Sequence, residues 1–463
     1  MVQNMKLMLM SGGSGKRLWP LSNDSRSKQF LKLLPDGNNG RMSMLQRVFR
    51  QLQDTPFGND SFIITNFMQN DLIKSQLGSD VPTILEPSRR DTYPAIALAC
   101  SYLYSVEGCT EDTWVGVTPC DSFTSTSFFQ KLETLAETCE QENANLGLLG
   151  LVPSHPTDKY GYIVPKKVNQ VTWVDHFVEK PEPEKAKTLI NQGAYWNGGV
   201  FVFRLSYLLD HLRQHNYPTD YFELRDSYEL LPKTSFDYAM VEQEDSMVVE
   251  EYDGFWKDLG TWNTLTEESG PQVVGRGTLS DDCSNTHIFN ELDLPVFVHG
   301  IRDAIVAIGA DGILVSDKEK SAEIKSLLED TSPRPMYEER RWGRQHILDF
   351  QKTEDEQEVL TSKLWIDEGK NLSYHSHRFR TEIWTIVQGS GWVARNEIIS
   401  KVNPGDVITI PPEDKHALKA ETAMELIEVQ LGTSTASTDI ETHFHTWGEI
   451  RERCIVRQTP PRS

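Results

Sequence analysis

The stretch that decides the fold is LMLMSGGSGKRLWPLSNDSRSKQFL, Leu7–Leu31. Its apolar run predicts a buried strand, and its glycines predict a tight turn next to Lys16, Arg17 and Lys28. Two common phosphate loops are excluded by spacing. A P-loop requires Ser or Thr after its lysine, and Arg17 follows Lys16. A dinucleotide loop requires a third glycine, and after Gly13 and Gly15 the chain offers Leu18. What remains is Ser11, Gly12, Gly13 and Gly15, whose backbone N–H groups can approach a polyphosphate, with Lys16 beside them. Arg17 and Lys28 are then placed to neutralise charge that grows on the phosphate during transfer. The alternative is a plain βα turn with solvated cations.

Outward from this loop, the chain of 463 residues is long enough for two or three domains. It carries 68 acidic against 46 basic residues, a formal charge of −22, with no long Lys/Arg block. That balance argues against nucleic-acid and anionic-membrane partners. Positive charge inside a motif is therefore informative. The six cysteines are scattered and read as reduced thiols. No apolar stretch reaches membrane-spanning length, and the apolar run before the glycines is short for a signal peptide, so a soluble cytoplasmic protein is expected.

Short apolar runs at residues 7–10, 61–65, 114–118 and 146–152 alternate with helical stretches such as 42–52 and 94–106. The rhythm predicts βαβ units and a mixed, mostly parallel sheet, with ligands at the carboxyl ends of its strands. Between about 273 and 317 the pattern changes to short β pieces separated by Gly and Asp. A charged, proline-containing stretch follows, and then a Val/Ile/Trp/Thr-rich region whose turns suggest a small barrel or sandwich.

The motifs GGSGKRLWPLS and KQFL resemble the signature of sugar-1-phosphate nucleotidyltransferases, closest to the long bacterial mannose-1-phosphate guanylyltransferases. LEPSRRDTYPAIALA, VTPCDSF, KYGYI, FVEKP, WNGGVFVF, SFDYAMVE and FWKDLGTWNTL continue the resemblance over the first 270 residues. It implies a Rossmann-like transferase domain making GDP-mannose and pyrophosphate from GTP and mannose 1-phosphate. Another nucleotide or sugar phosphate is the alternative. Asp121 and Asp258 are expected to hold Mg²⁺, because hard oxygen ligands suit that ion. Glu86, Arg90 and Asp91 fall on the nucleotide side, where Asp91 replaces a usual Asn and Ser122 replaces a usual His. Gly161, Glu179, Lys180 and Asn197 fall on the sugar-phosphate side.

Near the C-terminus, His375 and His377 sit two apart on a predicted strand and so on one face. With Glu382 and His416 they form a candidate three-His, one-carboxylate site for Zn²⁺, Mn²⁺ or Fe²⁺. The spacing of Gly369, Gly389, Gly405 and Pro411 around them resembles the two cupin motifs, with Glu413 at a usual Gly. Long guanylyltransferases carry such a cupin, which in bifunctional members interconverts mannose 6-phosphate and fructose 6-phosphate. The arginine usual after Asp-Ile-Val is absent from Asp439-Ile440-Glu441-Thr442, with Arg378, Arg380, Lys415 or Lys419 as possible substitutes. The expected organisation is a transferase domain at 1–270, a β-rich connector at 271–340 and a cupin barrel at 341–455. A homo-oligomer serving polysaccharide biosynthesis is expected.

Overall fold

The computed structural model describes residues 5–13, 16–23, 25–168, 171–328, 334–436 and 438–457. Gly15 lies outside these residues, and only the backbone of Lys16 is described. The chain divides into two compact units. The first comprises Met1–Leu18, Ser27–Gln272 and Asp317–Lys325; the second comprises Trp19–Arg26, Val273–Ser316 and Ser326–Ser463.

The first unit is built on nine strands: β1 (Lys6–Met10), β2 (Ser61–Asn66), β3 (Thr83–Glu86), β4 (Trp114–Pro119), β5 (Leu146–Leu151), β6 (Gly161–Val168), β7 (Val171–Val178), β8 (Tyr195–Arg204) and β9 (Met247–Tyr252). Their spatial order is β3-β2-β1-β4-β8-β5-β9-β7-β6. β3, β2, β1 and β4 run parallel, as do β5 and β9. β8 enters antiparallel between β4 and β5, and β6 and β7 pair as an antiparallel ribbon, so the sheet is mixed.

Strand alternation explains why β1 is apolar throughout. Met8 joins a core on one sheet face with the helix Thr92–Ser105, while Leu7 and Leu9 join a core on the other with Met44–Leu52 and Thr126–Glu142. Ser43 caps one of these helices through a reciprocal bond with Gln46, and Asp91 caps another. Covered on both faces, the sheet leaves its strand ends open for chemistry.

In the second unit, the short strands Val273–Val274, His287–Asn290 and Ala304–Gly309 stack in parallel, and Gly277–Leu279 pairs in parallel with Val296–Val298. Ile288, Val298, Val306 and Ile308 fill the small core of this coil. Beyond it lie two six-stranded sheets, mostly antiparallel. Residues of both, including Leu364, Trp384, Leu418 and Leu426, share one core, as the inward positions of facing sheets do.

Candidate active site

Asp121 follows β4, at the carboxyl end of a parallel strand. Asp258 comes from far along the chain but ends the strand Trp256–Asp258, which pairs with Ser122–Thr124 so that Asp258 lies opposite Ser122. This small ladder brings the two carboxylates together around Lys28. Lys28 Nζ is 2.8 Å from Asp121 Oδ2 and 3.0 Å from Asp258 Oδ1. Burial would lower the Lys28 pKa, but the two carboxylates hold it well above the ordinary lysine value. Burial opposes the charge of Asp258, yet Lys28, Arg17 and Lys159 keep its carboxyl below the ordinary value.

The three side chains line a pocket of about 150 Å³ with Pro119, Ser122, Tyr160, Gly198 and Trp256. Arg17 is exposed at the 3₁₀ turn Lys16–Leu18. A larger cavity of about 540 Å³, with Arg204, His211, Glu140 and Glu244 in its wall, opens at the amino ends of the strands. Of the sequence motifs, SFDYAMVE reaches it, through Ala239 and Met240.

The glycine loop is supported from behind. Ser11 N donates to the Ile64 carbonyl (2.9 Å), Gln29 Nε2 donates to Ser11 Oγ (3.3 Å), and Gln69 Nε2 reaches the Gly13 carbonyl (3.5 Å). Gly13 has φ +106°, a conformation that favours glycine, and a side chain at Gly12 or Gly13 would meet nothing within 4 Å. The loop therefore presents an open backbone surface.

Glu86, Arg90 and Asp91 stand apart from the Lys28 pocket. Glu86 ends β3 and accepts a hydrogen bond from Tyr228 Oη (2.9 Å); burial pushes its carboxyl up to about 7. Arg90 pairs with Glu229 and donates to the Leu231 carbonyl (2.9 Å). Asp91 adopts φ +72° and accepts from Thr92 N (2.8 Å), so the residue that departs from the family pattern also serves as a helix cap.

The residues expected on the sugar-phosphate side form one cluster. Glu179 pairs with Lys180, Asn197 Nδ2 donates to Asp237 Oδ1 (2.6 Å), and Asn197 Oδ1 accepts from Gly199 N (3.0 Å). A side chain at Gly161 would come within 2.6 Å of Glu179 Oε2 and also strike Phe177, so glycine keeps the carboxylate in place. Burial and then Glu179 push Asp237 up to about 6. Asp237 was given no role from sequence, although it sits inside SFDYAMVE; Lys159, Tyr160, Trp256 and Gln69 were likewise missed.

In the second unit, His375, His377, Glu382 and His416 are all buried, and their ligand atoms lie within 4.8 Å of one another. Each histidine donates Nδ1–H to a backbone carbonyl: His375 to Ser373 (2.7 Å), His377 to Asp439 (2.9 Å) and His416 to Asp414 (2.8 Å). All three Nε2 lone pairs therefore point inward, as metal ligation requires. Burial and then His416 push His375 down to about 3, keeping it neutral. His416 Nε2 is buried, lies 3.4 Å from Glu382 Oε2, and makes no hydrogen bond among the described residues.

Lone pairs and a carboxylate facing one another form a donor set that fits a divalent metal. Arg380 borders the cluster. Its Nε is 3.0 Å from Glu382 Oε1, its Nη2 is 3.2 Å from His377 Nε2, and its Nη1 donates to the Ala436 carbonyl. Glu428 is a second buried carboxylate nearby, accepting from Ser362, Trp384 and Gln430, with burial and then Glu382 pushing it up to about 7. Its sequence signal was a polar residue at an inward position of MELIEVQLG, alternating with Met424 and Leu426.

A mixed α/β sheet with a glycine loop and paired aspartates at its strand ends, in a chain that also carries a metal-capable β-barrel, defines a phosphate-transferring enzyme with a cupin. Residues 6–271 match the nucleotidyl transferase family and residues 334–444 match mannose-6-phosphate isomerase C-terminal domains. The chain belongs to the nucleotidyl transferase family. A Vibrio cholerae protein named putative mannose-1-phosphate guanylyltransferase is 30% identical, over 94% of this chain and 98% of its own. The Xanthomonas campestris xanthan biosynthesis protein XanB is 31% identical, over 95% of this chain and 98% of its own. A solved Thermus thermophilus structure, described as a mannose-1-phosphate geranyltransferase, is 26% identical with TM-score 0.61, covering 71% of this chain and all of that one. The chain is a sugar nucleotidyltransferase by class. Among the described residues, no helix is long and apolar enough to cross a membrane.

Proposed function

We propose that this chain makes GDP-mannose and pyrophosphate from GTP and mannose 1-phosphate, in the cytoplasm where both are supplied. The observation that carries the reading is the convergence of Asp121 and Asp258 on Lys28 at the carboxyl ends of the parallel strands. The names of the relatives support the choice of substrates.

In this reading the glycine loop receives the triphosphate on its backbone N–H groups. Glu179, Lys180, Asn197 and Asp237 orient the sugar and its phosphate. An oxygen of the sugar phosphate then attacks the α-phosphorus, the bond to the β-phosphate oxygen breaks, and pyrophosphate leaves with the electron pair. Arg17 stabilises charge on the departing group, and alignment supplies much of the remaining rate. The two aspartates fit Mg²⁺, which when bound would supply electrophilic stabilisation of the phosphates. Lys28 now sits between those carboxylates and must swing toward the phosphates to free them. Residues 1–270 carry the transfer, 271–340 connect, and 341–455 form the cupin.

Pyrophosphate release measured across GTP, ATP, CTP and UTP with a panel of sugar 1-phosphates tests this. Turnover is expected to be fastest with GTP and mannose 1-phosphate; no turnover with that pair would sink the reading.

The inward Nε2 lone pairs favour a second reading, in which the cupin binds Zn²⁺, Mn²⁺ or Fe²⁺ and also interconverts mannose 6-phosphate and fructose 6-phosphate. Interconversion without nucleotide, lost in His377→Ala but kept in Asp121→Ala, is its signature. Against it, Arg380 is held by protein acceptors and does not stand free to take a phosphate, while Arg378 is exposed and holds Glu441 (3.3 Å) only through a solvent-screened pair.

A further inference from the structure

Arg17 and Lys28, the two cations assigned to the phosphates, flank a segment that folds elsewhere. Trp19–Arg26 belongs to the second unit, and one residue of the first unit, Leu18 or Ser27, separates it from each cation. Within the second unit its described residues are tightly held. Arg26 is 6% exposed and makes a two-pronged pair with Glu291, Nη1 to Oε2 at 2.8 Å and Nη2 to Oε1 at 2.9 Å. Its Nε lies 3.6 Å from Glu339 Oε1, and its guanidinium covers the Tyr337 ring at 5.0 Å. Ser25 Oγ donates to Glu338 Oε1 (3.2 Å). Asn23 Nδ2 donates to Asp311 Oδ2 (2.7 Å), while Asn23 Oδ1 accepts from the backbone N–H groups of Ser25 (2.9 Å) and Arg26 (2.8 Å). Trp19 packs where any side chain on Gly312 would collide with its ring, at 2.6 Å.

These partners come from the coil region and from the strand Tyr337–Arg340, neither of which the proposed transfer chemistry uses. A buried guanidinium with two-pronged carboxylate contact fixes direction as well as distance, which a lysine would not. We propose that Glu291, Glu339 and Arg26 are positioning residues for phosphate transfer. They hold the chain between Arg17 and Lys28 in one conformation, and so fix the spacing of the two ends from which these cations follow.

The activity readout rests on the proposed transfer, so the experiment pairs it with one that does not. Full-length Glu291→Gln, Arg26→Ala and the double variant are compared in pyrophosphate release, hydrogen exchange of peptides spanning 11–31, and thermal unfolding. Glu291→Gln is expected to lower kcat by about 10²-fold, with KM for the nucleotide changing far less, because a displaced cation fails mainly in the transition state. Exchange should quicken in the 11–31 peptides while the β4 and β5 peptides stay protected. The double variant should fare no worse than Arg26→Ala alone, since the two residues act as one unit. Glu291→Asp, which keeps the charge, should recover part of kcat.

Unchanged exchange in 11–31 with unchanged kcat would overturn the clamp. Faster exchange throughout the chain, with kcat falling only as far as the folded fraction, would also overturn it by showing a general stabilising role. If the wild-type chain transfers no nucleotide, the proposed function fails, and local exchange still decides the clamp.

Discussion

The two charged centres solve the same electrostatic problem differently. Around Lys28 the ligands are carboxylates only, part-exposed, and the chain's own ammonium sits between them. Around Glu382 the ligands are three imidazoles and one carboxylate, all buried, each imidazole locked in its tautomer by a backbone carbonyl. The first arrangement can reorganise, because a flexible lysine side chain is free to leave the carboxylates, as the proposed transfer would require. The second is preformed, because packing and backbone bonds fix every donor before any ion binds. A site that must admit and release two substrates each cycle suits the former. A tightly held ion suits the latter.

The comparison breaks most sharply if the two centres are removed separately. Asp258→Asn is expected to cut pyrophosphate release by about 10³-fold while leaving metal content at the cupin unchanged. His416→Ala is expected to weaken Zn²⁺ or Mn²⁺ binding by at least about 10²-fold, read by elemental analysis after dialysis, with pyrophosphate release unaltered. Loss of both properties in either variant would show that the centres are not separate.

A smaller effect sharpens the role of the lysine. Lys28→Met leaves two carboxylates facing one another, and in EDTA the protein should lose about 1–2 kcal/mol of stability, discounted for the part-exposed setting. Mg²⁺ should restore more of its thermal stability than it adds to wild type. Equal Mg²⁺ effects on the two proteins would remove Lys28 from the role of stand-in cation.

An effect confined to one pH range concerns Glu86, a buried carboxylate that accepts a hydrogen bond from Tyr228 Oη and feels the charge of Arg89. Its carboxyl stands near 7 in the fold against an ordinary 4.5, so the folded state binds the proton more tightly than the unfolded chain. The stability this contributes is complete below about pH 4.5 and is lost as the pH rises through 7. Glu86→Gln, which cannot ionise, should exceed wild type at pH 8 by up to about 3 kcal/mol, with the gap closing by pH 4.5, in urea unfolding at each pH. A gap independent of pH would place the ionisation elsewhere.

Much of both centres was legible because it is local. His375 and His377 alternate on one strand, Glu382 and His416 follow at fixed spacing, and the glycine loop lies directly after an apolar run, so period and spacing located them, while the loop's expected role came from the family resemblance. Asp237 and Glu428 were missed for the opposite reason. Each is a single acidic residue in an ordinary-looking element, and only long-range packing places it beside Asn197 or Gln430.

The sequence by itself determined the alternating α/β rhythm, the glycine turn after β1 and the metal-capable donor set, because hydrophobic period and side-chain chemistry are properties of short stretches. Tertiary structure decided what touches what. It placed Asp258 opposite Ser122, put Lys28 between two aspartates, made Asp91 a helix cap, and drew Trp19–Arg26 into the unit that holds Glu291. Those pairings join residues far apart in the chain, and no local pattern encodes the closure of such distances.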